Sequence, residues 1–531
     1  MSAATEGVLE QPSARSARWV AAGILLSRIA GLLRERVFAH YFGTTLFADA
    51  FRAALRMPNV LQNLLGEGTL SASFIPVYSS LLAQGREEEA GRVAGAVFAL
   101  LLAVAGGLAL IGIVLAPVLV DVFLWGFEGE KREITVTLVR IIFPMTGVLV
   151  LSAWTLGILN SHRQFFLSYV APVAWSAAMI ATLVVLGGRL DQRPLVVALA
   201  WGALIGGVLQ FAVQLPRVLR LEPALRVRWD LALEGVRTTV RNAGPAIVGR
   251  GVVQLSGWVD LILASMLADG AVAALGYANT LYVLPVSLFG MSVAAAELPE
   301  LARRREGDAA VLRQRVNFGL RQIAFLVVPS VAGYLVLGDV IVAALYQTGD
   351  FGRADTVFVA LVLAGYTIGL LASTSSRLFA NTFFALGDTR TPAMVALARV
   401  ATAGGLGYLL MTWFERHRLL GQPLGAVGLA IASGAAAWVE WGLLRSRVTR
   451  RIGRVGAGAG PLARMACAAA AAALVGRIIV TLLPPLDPVL VAALALAPFG
   501  VVYFGMAWAL GLSEAGGAWG RIVRRFRGTS A

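Results

Sequence analysis

The first two apolar segments of the chain contain charged side chains, and these are the residues whose chemistry most constrains a function. They are Arg28, Arg34, Glu35 and Arg36 in the first segment and Asp49, Arg52, Arg56 and Glu67 in the second. A charge at the centre of a membrane helix costs about 2.5–3.5 kcal/mol on insertion scales, so such residues usually face a cavity. Arginines outnumber acids here, which favours an anionic ligand. A guanidinium binds phosphate oxygens in pairs and keeps its charge when desolvated.

Helical spacing places several of these charges on common faces. At about 100° per residue, Asp49, Arg52 and Arg56 fall within about 60° of one another. Arg28 and Glu35 also share a face. The alternative interpretation is that these residues form internal ion pairs, such as Asp49 with Arg52, or that the arginines extend to the membrane interface. For the cluster as a whole, the excess of cations favours a binding role.

The second segment also contains residues that predict a break in its helix. Pro58 removes a backbone donor, and Gly66 and Gly68 tolerate conformations that end a helix. Backbone amides freed by such a break would face the same cavity and add to an anion site. An ordinary kink is the alternative.

Charges are sparser in the second half of the chain. Asp260 and Glu297 are predicted to lie deep in apolar segments, which makes them candidates for coupling transport to a proton or cation. Alternatively, Arg250 simply neutralises one of them. Arg140, Arg399 and Arg477 are predicted to be charges at the membrane interface or charges that pack the lobes.

Composition indicates that these charges are carried by membrane-spanning helices. Of 531 residues, 58% are hydrophobic and 14% are charged, whereas a soluble chain is about a quarter charged. Apolar runs bounded by turn signals predict the segments 19–41, 46–84, 93–125, 134–159, 165–187, 194–216, 240–268, 272–302, 317–346, 355–385, 391–412, 421–444, 462–484 and 488–512. Backbone polar groups must be satisfied within lipid, so the fold class is an all-α integral membrane protein of about fourteen transmembrane helices.

Weak internal similarity divides these helices into two pseudo-symmetric six-helix lobes. Three prolines recur roughly 220 residues apart, as Pro58 and Pro285, Pro76 and Pro299, and Pro172 and Pro392. Residues 1–222 and 223–455 are the predicted lobes, and residues 456–531 are a predicted C-terminal helix pair with a basic tail. Two similar lobes around a cationic central cavity suit alternating access.

The net charge of +15 is distributed by side of the membrane. If the N-terminus is cytoplasmic, the loops on that side carry roughly four times as many basic residues as the opposite loops, as the positive-inside rule requires. Both termini are therefore predicted to be cytoplasmic. The same distribution argues against nucleic acid as a partner.

Enzymatic chemistry has little support in the sequence. Cys467 is a lone cysteine, and His40, His162 and His417 have no metal-ligand spacing. Phosphate-binding GxxxxGK[ST], HExxH and GxSxG motifs do not occur. We therefore expect a transporter with no metal and no cofactor, coupled to the membrane potential or to a cation.

Residues 27–81, SRIAGLLRERVFAHYFGTTLFADAFRAALRMPNVLQNLLGEGTLSASFIPVYSSL, resemble the N-terminal signature of the MurJ (MviN) family, within the multidrug/oligosaccharidyl-lipid/polysaccharide (MOP) exporter superfamily. GPAIVG at 244–249, YQTGDF at 346–351 and GDTRTP at 387–392 are further family-like segments. The resemblance implies two six-helix lobes, a V-shaped cavity and a C-terminal helix pair that contacts a lipid tail. It also implies a flippase of the bacterial cytoplasmic (inner) membrane. Its substrate would be lipid II, the undecaprenyl-pyrophosphate-linked peptidoglycan precursor, exported from the inner to the outer leaflet.

The resemblance also implies roles for individual residues. Arg28 and Arg34 match two cavity arginines that the family needs. Asp49 matches the acid of the family's DAF motif, and Glu67 matches the acid of its EG pair. The implied partners are lipid II, membrane lipids and the machinery of cell-wall synthesis.

Two departures remove positive charge from the expected headgroup site. Gln62 stands where the family has arginine, and Asn279 and Thr280 stand where it has Asp and Arg. One hypothesis is that three other arginines compensate from neighbouring turns, namely Arg52, Arg56 and Arg250. The competing hypothesis is a divergent exporter of another polyprenyl-linked oligosaccharide. A drug/cation antiporter of the same superfamily is a third alternative, and a cationic cavity argues against it.

Overall fold

The computed structural model describes residues 14–290 and 309–516, with side chains at all of these positions except 14–21, 60, 248–250, 252–256 and 290. In these ranges the chain is helical apart from turns and a two-stranded hairpin, in which Leu419 pairs with Gln422. The chain divides into two compact units, and the division falls inside one helix, at Gln254. The predicted lobe boundary at 222 stays a prediction.

The first unit contains the N-terminal helices. Its described residues lie within Met1–Tyr41, Ala50–Phe123 and Phe127–Gln254. The helices are α1 (Ala14–Phe42), α2 (Leu46–Leu65), α3 (Glu67–Ala83), α4 (Glu87–Val114), α5 (Ala116–Phe123), α6 (Gly129–Ser161), α7 (Phe165–Leu186), α8 (Gln192–Leu221) and the first part of α9 (Glu234–Ser265). Phe74, Tyr78 and Trp154 fill a core between α3, α4 and α6.

The second unit contains Phe42–Asp49, Leu124–Gly126 and the described residues of Leu255–Ala531. Its elements after α9 are α10 (Ala271–Pro285), a π-helical turn (Val286–Gly290), α11 (Ala309–Tyr346), α12 (Arg353–Thr367), α13 (Leu370–Ala385), α14 (Arg390–Glu415), β1 (Arg418–Leu419), β2 (Gln422–Pro423), α15 (Gly425–Ile452), α16 (Ala459–Leu482) and α17 (Pro488–Ala509).

The last two helices pack on α11. The hydroxyl of Tyr503 donates to the carbonyl oxygen of Phe325 at 2.5 Å. Arg477 forms an ion pair with Asp339 at 2.9 Å, which joins α16 to α11. Arg399 pairs with Glu440 at 2.7 Å between α14 and α15. These two ion pairs join helices of the second unit.

Every predicted segment overlaps a helix, or a pair of helices separated by a short break. Within residues 14–290 and 309–516, ten helices are long and apolar enough to cross a membrane, or eleven if α12 and α13, bent by 42°, form one span. The predicted segments 19–41, 46–84 and 240–268 fall outside this set, and their helices contain the charges discussed above. The molecule is thus an all-α membrane protein, and a total of about fourteen spans stays a prediction.

The predicted break in the second segment lies at Gly66, while Pro58 lies within α2. The amide of Gly66 donates to the carbonyl oxygen of Gln62 at 2.7 Å, and α3 begins at the next residue. A Cβ atom at position 66 would clash with that carbonyl oxygen, so the break requires glycine. Because Glu67 is the first residue of α3, the break at Gly66 determines its orientation.

Candidate functional site

Two arginines of the first unit share one acid. Glu35 accepts a hydrogen bond from Arg34 at 3.0 Å through one carboxylate oxygen and from Arg52 at 2.7 Å through the other. The Glu35 side chain is 13% exposed, so the interaction is largely shielded from solvent. Two guanidinium groups and one carboxylate leave a net positive charge. The alternative interpretation, that these charges form internal ion pairs, therefore holds for Arg34, Glu35 and Arg52.

The same two arginines make cation–π contacts with aromatic rings. The guanidinium of Arg34 lies 4.5 Å from the centre of the Trp175 ring, and that of Arg52 lies 5.1 Å from the Phe38 ring. Such contacts stabilise a desolvated cation. The cavity beside this cluster measures only about 30 Å³, which is the space of about one water molecule. The cluster therefore positions charge and leaves no room for a headgroup of its own.

A larger cavity begins at Trp175. It measures about 390 Å³ and is lined by Arg56, Asn59, Gln62, Asn63, Leu149, Pro172, Trp175 and Gln210. The ring nitrogen of Trp175 donates to the carbonyl oxygen of Ala203 at 3.0 Å, which fixes the ring on α8. Arg56 is exposed and forms no ion pair with a described residue. Its guanidinium is available to an anion in this cavity.

A second polar cavity adjoins the first, because the two share five lining residues. It measures about 480 Å³ and is lined by Gln62, Asn63, Glu67, Gly68, Ser71, Leu149, Ser152, Ala153, Leu156, Ser168, Pro172, Gln210 and Gln214. Both volumes lie in the ordinary range for ligand sites, roughly 300–1,000 Å³. Glu67 reaches this cavity because α3 begins directly after Gly66. Gln62, which stands where the sequence pattern led us to expect an arginine, lines both cavities.

The wall formed by α6 and α8 is a connected polar network. The amide of Gln214 donates to the hydroxyl of Ser152 at 2.7 Å and accepts from Thr155 at 2.9 Å. Gln210 donates to the same serine hydroxyl at 3.1 Å. Gln214 is buried, so these bonds satisfy groups that would otherwise be costly to desolvate.

Asp49 has a different environment from the one predicted. It belongs to the second unit, is fully buried, and accepts hydrogen bonds from the amides of Gly270 at 2.8 Å and Ala273 at 2.7 Å. These amides open α10, where a carboxylate is favoured by the helix dipole and by unsatisfied donors. The carboxylate therefore caps a helix, and the structure does not bring it to the polar cavities.

The remaining predicted residues are dispersed. Arg28 is half-buried on α1, and Asp260 is half-buried near the end of α9. Neither lines the two cavities. Arg250 lies on α9, but its side chain falls outside the described residues, as does Glu297 altogether. Within residues 14–290 and 309–516 no group of three side chains is arranged to hold a metal ion.

Sequence reasoning missed the contribution of α7 and α8. Trp175 and Ser168 come from α7, and Gln210 and Gln214 come from α8. A signal for the glutamines was present, because two amides four residues apart share one face of an otherwise apolar helix. No comparable signal singled out Ser168 or Trp175.

Comparison with known proteins gives matches along most of the chain. A family model described as Lipid II flippase MurJ matches residues 38–487. The Lipid II flippase MurJ of Burkholderia cenocepacia is 30% identical over 508 residues, which cover 92% of this chain and 96% of that protein.

Solved structures match as well. One described as Lipid II flippase MurJ, inward closed conformation, has a TM-score of 0.75 at 20% identity, over 92% of this chain and 99% of that one. An inward-facing multidrug resistance MATE transporter of the MOP superfamily has a TM-score of 0.62 at 17% identity, over 82% and 98% of the two chains. At these identities the two structures establish the fold.

Proposed function

The chain belongs to the lipid II flippase MurJ family, and from that membership we propose that it moves lipid II from the inner to the outer leaflet of the bacterial cytoplasmic membrane. It is a multi-pass membrane transporter and not an enzyme. The mechanism we propose is alternating access, in which the polar headgroup crosses inside the protein while the lipid tail stays in the bilayer.

The observation that carries this proposal is the polar lining that runs from Arg56 to Glu67, with Arg34 beside it on the Trp175 ring. It lies among otherwise apolar helices, where polar groups are costly unless a function retains them. The pyrophosphate would bind at Arg56, with Arg34 held nearby by Trp175 and Glu35. Arginine suits this role because it stays charged when desolvated.

A third cavity suits the lipid tail. It measures about 290 Å³, lies in the second unit, and is lined mostly by apolar and aromatic side chains of α11 and α17, including Phe325, Pro329, Phe499 and Phe504. An isoprenoid chain gains free energy from such a surface in proportion to the apolar area it covers. This supports the expectation that the C-terminal helix pair contacts the tail.

Energy coupling is also a proposal. The membrane potential acts on net charge with about 2.3 kcal/mol per charge per 100 mV, so a cavity with excess arginine would respond to it. Asp260 and Glu297 stay candidates for coupling to a proton or cation, and cell-wall synthesis enzymes stay candidate partners.

One observation favours a related function, the export of another polyprenyl-linked oligosaccharide. Gln62 gives both cavities a neutral amide where the family has a cation. Thr280, at the other departure, donates its hydroxyl to the carbonyl oxygen of Gly276 at 3.0 Å, within its own helix. Neither residue restores the missing charge.

Complementation tests the proposal. Cells depleted of their own lipid II flippase would receive the wild-type chain, and growth and outer-leaflet lipid II would be scored together. We expect rescue by the wild type and by Arg220→Ala, an exposed control arginine at the end of α8. We expect loss of rescue in Arg34→Ala and Arg56→Ala at matched expression. Failure of a well-inserted wild-type chain would instead favour the other glycan.

A further inference from the structure

The 480 Å³ cavity of the first unit has an uncharged polar lining with one exception, Glu67. Amides and hydroxyls come from α2, α3, α6, α7 and α8, namely Gln62, Asn63, Ser71, Ser152, Ser168, Gln210 and Gln214. Leu149, Leu156 and Pro172 add apolar surface. This lining contains no cationic side chain that could bind an anion, so the cavity is chemically distinct from the one at Arg56.

One hydroxyl in this lining points to a ligand. Ser168 is 2% exposed, and its Oγ has no hydrogen-bond partner among the described residues. Buried polar groups are ordinarily satisfied, so such an exception requires an explanation. A polar group bound in the cavity would provide the missing partner.

Neighbouring amides are available to the same ligand. Gln62 and Asn63 make no side-chain hydrogen bond to a described residue, and the Oε1 atom of Gln210 accepts none from one. Gln210 is held in place through its other amide atom by Ser152, and Ser152 is held by Gln214. The wall is therefore preorganised, with donors and acceptors that face a space of ligand size.

We propose that this cavity is a binding subsite for an uncharged carbohydrate unit of the transported lipid, and that Gln62, Ser168 and Gln210 recognise its hydroxyl and amide groups. The inference rests on the proposed function, since it divides one substrate between two adjoining cavities. The phosphates bind at Arg56, and the sugar binds beyond Gln62. Amide and hydroxyl side chains match the donors and acceptors of a sugar, and the apolar residues match its C–H faces.

Gln62 acquires a specific role in this arrangement. An arginine there would extend the cationic lining of the first cavity into the second. The glutamine ends the cationic lining and begins the neutral one, so it determines where the phosphates stop and the sugar begins.

Binding to the purified full-length chain in nanodiscs tests the subsite. The two probes are a synthetic short-chain polyprenyl pyrophosphate that carries an N-acetylated disaccharide and the same lipid without the sugar. Isothermal titration gives both dissociation constants. We expect the wild type to bind the sugar-bearing lipid about tenfold more tightly, the equivalent of one or two net hydrogen bonds.

Single substitutions test which residues cause the preference for the sugar-bearing lipid. Ser168→Ala should reduce it about threefold to tenfold while binding of the sugar-free lipid is unchanged, because Ser168 lines only the 480 Å³ cavity. Gln210→Ala should reduce the preference by a similar factor. Gln62→Arg should strengthen binding of the sugar-free lipid and abolish the preference. Ser176→Ala, a buried serine elsewhere on α7, is the matched control and should behave as the wild type. Melting temperatures confirm that each variant is folded.

Three results would overturn the subsite. Equal binding of both lipids by the wild type would remove it and leave the proposed function intact. If neither lipid bound, both the subsite and the proposed function would be overturned. A preference that persists unchanged in folded Ser168→Ala and Gln210→Ala would assign the cavity to another ligand.

Discussion

At the scale of single residues, the side chain of Glu35 connects two helices of the first unit. Its two acceptor bonds come from Arg34 on its own helix and Arg52 on α2. Helical spacing offered Asp49 as an alternative partner of Arg52, because the two lie about one turn apart. The observed partner is 17 residues away, and such a pair depends on how two helices pack, which spacing alone does not reveal.

Substitution Glu35→Gln should destabilise the protein and reduce transport. It leaves two guanidinium groups close together without their acid, and breaking a buried ion pair costs about 3–5 kcal/mol. Thermal unfolding in nanodiscs measures the stability, and complementation measures transport. The control is Glu89→Gln, which breaks the exposed pair with Arg86 and should cost less than about 1 kcal/mol. Equal effects of the two substitutions would contradict the conclusion that the ion pairs of Glu35 stabilise the protein more than an exposed pair does.

Asp49→Asn separates a structural role from a binding role. The amide keeps one acceptor for the amides of Gly270 and Ala273 but loses the charge that the helix start favours. We expect a loss of about 1 kcal/mol in stability, with binding of the sugar-free polyprenyl pyrophosphate unchanged in the folded fraction. Weaker binding without a change in melting temperature would show that Asp49 contacts the substrate after all.

At the scale of elements, the break between α2 and α3 determines which side chains line the cavities. The sequence indicated a break, and the structure places it at Gly66 because the chain closes tightly on the carbonyl oxygen of Gln62. Gln62 and Glu67 flank this break, so both reach the cavity from helix ends.

Gly66→Ala should therefore lower both transport and stability, because the new methyl group forces the break to open. Growth in the complementation assay and the melting temperature measure the two effects. The control is Gly106→Ala in the middle of α4, where a methyl group meets nothing within 4 Å and should be neutral or stabilising by up to about 1 kcal/mol. Wild-type behaviour of Gly66→Ala would mean that the break tolerates a side chain.

A loop carboxylate gives the second unit a pH dependence. Asp388, between α13 and α14, accepts from the amide of Thr391 at 2.9 Å and its hydroxyl at 2.8 Å, and pairs with Arg451 at 2.5 Å. The bonds from Thr391, then the charge of Arg451, lower the pKa of Asp388 below its ordinary value. Since the folded-state pKa is the lower one, this group contributes stability above its unfolded pKa and loses it as the pH falls through the folded value.

We therefore expect the melting temperature of the wild type to exceed that of Asp388→Asn at neutral pH. The two should converge as the pH falls below about 4, the ordinary range of an aspartate. Melting curves in nanodiscs between pH 7 and pH 3 measure this difference. A difference in melting temperature that stays constant across that range would contradict the lowered pKa of Asp388.

Elements were more predictable from the sequence than the site. Each predicted segment overlaps helical structure because apolar length alone defines it. The cavity wall was not predicted, since Ser168 and Trp175 become neighbours of Gln62 only through the packing of α7. Charge in an apolar segment is visible in one dimension, and this singled out Arg34, Asp49 and Glu67. The capping contact of Asp49 is not visible there, because Gly270 lies 221 residues away.

At the scale of the whole molecule, the orientation in the membrane stays a prediction from the arginine distribution. Replacing Cys467 with alanine gives a chain without cysteine, into which single cysteines can be introduced. Glu88→Cys, in the first turn of α4, should be protected from a membrane-impermeant maleimide in intact cells. Leu420→Cys, exposed in the hairpin between β1 and β2, should react. The reverse pattern would invert the predicted topology.

The residues that connect α1 to α2 have a consequence for synthesis. Gly43 and Asp49 belong to the second unit, where Tyr277 donates to the carbonyl oxygen of Gly43 and Gly270 to the Asp49 carboxylate. The ribosome makes Asp49 221 residues before Gly270, an interval of about 10–40 s at roughly 5–20 residues per second. For that time the nascent chain holds a carboxylate whose two donors at the start of α10 do not yet exist. We expect the insertion machinery to keep this turn hydrated until α10 emerges.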